Sequence, residues 1–224
     1  VTVDDAITLT AASDRGLLLS LGNAPAGAPL DVLRRAAIPG VIDLVPGYET
    51  ILLVTDPSAD LGQVERAVRR VVAGLPEERP SPEAPIVEIP VCYEGEDNAP
   101  DLADVARRAG LGIEETIRRH AEPVYRVRFL GFMPGFPYLD GLDPALAAPR
   151  LDTPRTRVPA GSVAIGGIHA GIYPFATPGG WRIVGRTPLR LYDPVRDARA
   201  LLGIGDRVRF VPISSAELRA REAR

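Results

Sequence analysis

The residues Gly131-Phe132-Met133-Pro134-Gly135-Phe136-Pro137-Tyr138-Leu139 open a stretch, Gly131 to Pro188, that holds ten glycines and nine prolines in 58 positions. Such a density would suit a disordered segment, but Phe132, Phe136, Tyr138, Tyr173, Phe175 and Trp181 are interleaved with it, together with β-branched residues. Rings that frequent favour an ordered core. The stretch therefore reads as short strands joined by tight turns, with φ held by proline and positive φ supplied by glycine, as in a compact barrel. Tyr125 to Leu130 is the strand that leads in, and Arg182 to Val184 and Asp206 to Val211 complete the set.

Working toward the N-terminus, Ile86 to Tyr93 alternates as a strand, Asn98 is placed to cap a helix carrying Leu102, Val105, Ala106 and Ala109 up to Gly110, and a short second helix ends at His120. Before these, Leu75 to Pro85 packs four prolines and three glutamates into eleven residues, the composition of an extended spacer. The leading segment has a different grammar. Ile7 to Thr10 and Gly16 to Leu21 read as a hairpin, Pro29 to Ala37 as a helix, Val41 to Val45 and Thr50 to Thr55 as strands, and Leu61 to Ala73 as a helix started by Asp60 and Gln63. The order β-β-α-β-β-α is that of a small sandwich. The fold class is therefore α+β, with a domain at residues 1–75, a linker at 76–85 and a second domain at 86–224. Ser215 to Arg224 reads as a polar helical tail.

Composition excludes several functions. All 26 basic residues are arginine. Without lysine there is no Walker A loop, no Schiff base and no Ser-Lys dyad, so an anion must be held by arginine or by backbone N–H. A formal charge of −3 leaves no electrostatic footprint for nucleic acid. The arginine pairs 34–35, 69–70, 107–108 and 118–119 each fall late in a helix, where they complement its dipole. One cysteine, Cys92, rules out an intrachain disulfide, and His120 and His169 lack metal-ligand spacing, so no metal or prosthetic group is expected. No apolar run approaches the roughly 18 residues that span a bilayer, and Val1 to Asp5 shows no basic or long apolar leader, which sets the expectation of a cytoplasmic protein without membrane contact.

The candidate functional residues cluster in the glycine- and proline-rich stretch. Phe132 and Phe136 offer flat apolar walls on a rigid turn, or simply pack on their own core. Arg150 and Arg155, beside Pro149 and Pro154, are pre-organised clamps for a carboxylate, Arg155 foremost, unless it spends its charge on Asp152. Gly161 and Ser162 suggest turn amides and a hydroxyl for a carbonyl oxygen, although Val163 and Ala164 after the serine exclude a G-x-S-x-G elbow. Thr177, Gly179, Gly180, Trp181 and Arg182 supply another turn with polar reach. His120 is the candidate general base, or else a helix C-terminal cap.

The motifs Gly131 to Leu139, Pro149-Arg150, Pro154-Arg155, Val158 to Val163, Gly171 to Pro174 and Pro178 to Pro188 resemble those of the KipI / allophanate hydrolase subunit 1 family, largely described as the B subunit of the bacterial 5-oxoprolinase. One departure is His169-Ala170, where the family usually has Gln-Thr before Gly-Ile-Tyr-Pro. The resemblance implies a cyclophilin-like C-terminal β-barrel. It implies two partners, one of the KipA / allophanate hydrolase subunit 2 family and one of the LamB/YcsF family, and use of ATP by the complex to open a small carboxylate lactam, 5-oxoproline, to glutamate. Within that reading Arg155 would take the carboxylate, and Gly161, Ser162 and the Gly179-Gly180 turn would polarise the amide carbonyl. Two other functions stay open: inhibition of a sensor histidine kinase, and an accessory role in urea degradation.

Overall fold

The computed structural model describes residues 7–22, 26–74 and 85–223, and the chain divides into two compact units, Val1–Pro82 and Glu83–Arg224. The expected linker at 76–85 lies, apart from Pro85, outside the described residues.

The first unit is a four-stranded antiparallel sheet in the order β1-β2-β4-β3, with β1 Thr8–Ser13, β2 Gly16–Ser20, β3 Val41–Pro46 and β4 Thr50–Thr55. Period-two alternation buries Leu17, Leu19, Ile51 and Leu53 on one face. Two helices, α1 Gly27–Ala36 and α2 Leu61–Val72, bury Leu30, Leu33, Val64 and Val68 and pack against each other. The α2 start is built as its sequence implies: Asp60 Oδ1 accepts from the amides of Gly62 (2.9 Å) and Gln63 (3.2 Å).

The second unit is a closed seven-stranded barrel. Its strands are β5 Ile86–Cys92, β6 Tyr125–Leu130, β7 Pro137–Asp140, β9 Ser162–Gly166, β10 His169–Ile172, β12 Arg182–Arg186 and β13 Arg207–Ile213, in the order β10-β7-β6-β13-β5-β12-β9. A separate two-stranded antiparallel sheet pairs β8 Arg155–Val158 with β11 Thr177–Gly179. Inward alternation fills the barrel with Ile89, Val91, Tyr125, Val127, Leu139, Val163, Ile165, Ile172, Val208 and Phe210. Helices α3 Leu102–Ala109 and α4 Ile113–Ala121 add Leu102, Val105 and Ala121 to that core, and α5 Ser215–Glu222 follows β13. The four arginine pairs all sit in the last turns of α1 to α4.

One helix start differs from its expected form. Asn98 does not cap α3: its side chain turns back to donate to the Glu94 carbonyl at 2.8 Å, and Asp101 holds the N-cap position. The polar tail is helical as its sequence implies, and it opens on a capping box between Ser214 and Glu217. Among the described residues no helix is long and apolar enough to cross a membrane.

Candidate functional site

The chemistry-bearing face lies on the outside of the barrel, and small residues create it. Along β9, Val163 and Ile165 point into the barrel while Ala164 joins an outer cluster with Phe136, Val158, Tyr173, Trp181 and Ile183. A Cβ on Gly166 would lie 2.4 Å from the Trp181 indole, and one on Gly171 would lie 2.9 Å from both Phe136 and Trp181. Glycine at these two strand positions therefore lets the rings lie flat on the sheet.

The rings lock one another edge to face. Phe136 meets Trp181 at 5.4 Å and Tyr173 at 5.1 Å, and Tyr138 meets Trp181 at 5.4 Å. They enclose a cavity of about 310 Å³, lined by Phe132, Phe136, Tyr138, Tyr173 and Trp181, with Arg150, Leu151, Pro154, Pro178, Gly179 and Gly180 completing the wall. That volume is at the small end of ligand sites. Phe132 stands at the rim, 62% exposed, with φ of 66°, a conformation rare for a bulky side chain. Gly179 is required where it stands, because a Cβ there would lie 2.5 Å from the Tyr173 hydroxyl oxygen. Burial raises the pKa of both tyrosines, and at Tyr138 the Arg150 charge pulls the other way. Arg150 lies over the Trp181 ring, its guanidinium carbon 5.9 Å from the centroid, and among the described residues no carboxylate pairs with it.

Six of the twelve sequence candidates, Phe132, Phe136, Arg150, Gly179, Gly180 and Trp181, line this cavity. The other six do not. Arg155, the foremost clamp, donates from Nη2 to Asp101 Oδ1 at 2.8 Å, and the buried Asp101 also accepts the Ile183 amide at 2.7 Å. Its charge is therefore already matched inside the protein. Arg182 is buried too, tying α3 to the barrel through Asp104 and donating from Nε to the Pro149 carbonyl at 2.9 Å. Gly161 keeps its positive φ of 80°, but its amide donates to the Tyr173 carbonyl at 2.7 Å and its carbonyl accepts from Thr187, so neither is left for a ligand. Ser162 is buried in β9 and Thr177 pairs with Val158 in the two-stranded sheet.

His120 is placed farthest from its expected role. It is fully buried beside the barrel core, stacked on Phe210 at 4.7 Å, with Nδ1 2.8 Å from the Tyr93 hydroxyl, and burial lowers its pKa to about 3. A group that neutral and enclosed stabilises a core and does not collect protons from a ligand. Cys92 is likewise buried in β5. Among the described residues no group of three or more His, Cys, Asp or Glu side chains is arranged to hold a metal ion.

Five lining residues, Tyr138, Leu151, Pro154, Tyr173 and Pro178, are not among the sequence candidates. A usable signal exists for Tyr138: it pairs with Gly171 across β7 and β10, and so shares the outer face whose glycines admit Trp181.

Known proteins resemble this chain. Residues 7–202 match the family described as the carboxyltransferase domain, subdomain C and D, a span that encloses every cavity residue. The chain is 46% identical over 181 residues to the B subunit of 5-oxoprolinase from Escherichia coli O157:H7, covering 80% of this chain and 81% of that protein. It is similar to the crystal structure of TTHA0988 with a TM-score of 0.76 and 43% identity over 90% of its length, and spans 41% of that longer chain. The urea amidolyase of Kluyveromyces lactis shares the fold at a TM-score of 0.74 and 21% identity, over 96% of this chain and 15% of the yeast chain.

Proposed function

The chain belongs to the carboxyltransferase family of subdomains C and D, and from that membership we propose that it is the B subunit of a 5-oxoprolinase, the hydrolase complex that opens the lactam of 5-oxoproline to glutamate. The relationship to the Escherichia coli protein, 46% identity across four fifths of both chains, is the observation that carries this reading. The cavity supplies its chemistry: a small aromatic-walled space with a guanidinium at its wall suits a compact, flat ring acid.

In the reaction the ring C–N bond breaks, the oxygen of a water bonds to the carbonyl carbon, and the departing nitrogen takes a proton; ATP is consumed by the complex. This chain's part is to bind and orient. Arg150, and not Arg155, takes the carboxylate, and the rings of Trp181 and Tyr173 sandwich the lactam and exclude water. One partner of the KipA / allophanate hydrolase subunit 2 family and one of the LamB/YcsF family supply the rest. The likeness to urea amidolyase, at 21% identity, speaks for the fold alone and does not favour a urea-degradation role.

The test is reconstitution with both partners and a glutamate-release assay with 5-oxoproline and ATP. Arg150→Ala is expected to raise KM at least tenfold, the loss of one charge-assisted contact. A complex that releases no glutamate, or whose KM for 5-oxoproline does not move in this variant, overturns the reading or the role of Arg150 respectively.

A further inference from the structure

Among the described residues, Arg150 is not the only polar group of the cavity without a hydrogen-bond partner. Tyr138 lines the same space, and among the described residues no hydrogen bond engages its hydroxyl. Its ring is held on four sides. It stacks on Phe129 at 4.2 Å with 12° between the planes, and meets Phe136, Trp181 and His169 at 5.2, 5.4 and 6.4 Å. A ring so enclosed does not swing away when a ligand enters. Arg150 and Tyr138 both lie against Trp181 and line the same mostly apolar space, near enough for the Arg150 charge to act on the Tyr138 phenol.

We propose that Tyr138 is the specificity-determining residue of this cavity: while Arg150 holds the carboxylate, the Tyr138 hydroxyl donates to the lactam carbonyl of the same ring, selecting a cyclic amide acid over a ring acid that lacks the amide. The ligand's identity in this proposal rests on the 5-oxoprolinase reading; the pairing of the two polar groups stands on the cavity itself. The physical cause of selection is desolvation. A ring acid without a carbonyl would bury the phenol hydroxyl with nothing to receive its proton, and sites built around such a donor reject ligands that cannot satisfy it. Burial keeps the phenol protonated through neutral pH, so it is a donor throughout the working range.

Trp181 is the chain's one tryptophan, so its emission reports directly on the cavity in the isolated protein. Three probes divide the ligand: 5-oxoproline, cyclopentanecarboxylate, which keeps the acid and loses the amide, and 2-pyrrolidinone, which keeps the amide and loses the acid. Wild type is expected to bind 5-oxoproline at least tenfold more tightly than cyclopentanecarboxylate. Tyr138→Phe, which preserves the ring packing, should weaken 5-oxoproline and tighten cyclopentanecarboxylate, and so remove most of the tenfold preference between them. Arg150→Gln should weaken both acids and leave 2-pyrrolidinone unchanged. A Tyr138→Phe variant that weakens both acids equally, or neither, overturns the proposal. Should no probe bind by fluorescence or calorimetry while the reconstituted complex still turns over 5-oxoproline, the cavity is not the substrate site and the proposal falls, with the 5-oxoprolinase reading intact. Binding that follows the expected pattern in a complex without turnover sinks that reading and leaves the role of Tyr138 standing.

Discussion

Replacing Arg155 by alanine separates a structural arginine from a ligand-binding one. The Arg155 side chain is 30% exposed and Asp101 9%, with 2.8 Å between Nη2 and Oδ1. Breaking a fully buried pair by removing one partner costs about 3–5 kcal/mol, most of it the unpaired charge left behind. Here the remaining Asp101 keeps the Ile183 amide and the arginine site is a third open to water, so the expected loss is about 1–3 kcal/mol. At about 3 °C per kcal/mol for a unit of this size, the thermal midpoint should fall by roughly 3–9 °C. Asp101→Asn should cost a comparable amount, and the double variant less than the sum, because both changes remove one interaction. Differential scanning calorimetry gives the midpoints and a Trp181 titration gives 5-oxoproline affinity on the same samples. An Arg155→Ala protein that melts within about 1 °C of wild type but loses tenfold or more in affinity would refute the structural role; that pattern belongs to a ligand clamp, whose removal spares the fold.

Gly166→Ala places a methyl where the indole now lies, 2.4 Å from its atoms, so Trp181 emission should shift to the red and probe binding should drop more than tenfold, with a thermal loss of about 1–3 kcal/mol from overpacking. Gly161→Ala is strained twice, by φ of 80° and by a Cβ 2.4 Å from the Thr187 carbonyl oxygen; urea unfolding should show a loss of about 2 kcal/mol or more, although neither Gly161 backbone group reaches the cavity. His120 takes up its proton near the ordinary 6.5 in the unfolded chain but only at about 3 when folded. The unfolded chain thus binds more protons between those values, and the stability present above pH 6.5 is lost as pH falls toward 3, by about 1.4 kcal/mol per unit. Unfolding free energies from urea titrations at pH 6.5 and 5.0 should therefore differ by about 2 kcal/mol in wild type and by much less in His120→Leu; equal slopes would show that the surrounding carboxylates, and not His120, carry the effect.

What is legible in the sequence is local. The α2 start is readable because Asp60 and Gln63 are three residues apart, and Tyr125–Leu130 because a bare alternation of apolar and charged side chains has few other outcomes. The first unit is readable throughout because its strands pair as neighbours or near neighbours. The barrel's closure is not. It depends on the parallel pairing of β5 with β13, in which Ile86 faces Arg207 across more than a hundred residues, and no composition or turn signal encodes that partner. The same distance hides the fate of Asp101. It and Asn98 are both cap-type residues at a helix start, and only the arrival of Arg155 and Ile183, 54 and 82 residues further along the chain, turns Asp101 into an internal counter-ion.

Spacing cannot decide between Arg150 and Arg155 for the same reason. Each follows a proline on the same rigid loop, and each has the reach to clamp a carboxylate. The difference is which one meets an acid when the barrel closes. Arg155 meets Asp101, Arg182 meets Asp104, and Arg186 meets Glu222, so recruiting any of them to a ligand would first expose a carboxylate. Arg150 rests instead on the face of Trp181, a contact worth only about 0.5–1 kcal/mol at an exposed site. An incoming carboxylate exchanges that weak contact for a charge-assisted one and leaves no buried charge behind, and the guanidinium can keep touching the indole while it does so. Among Arg150, Arg155, Arg182 and Arg186, the group free to bind an anion is therefore the one whose present partner has no charge to strand.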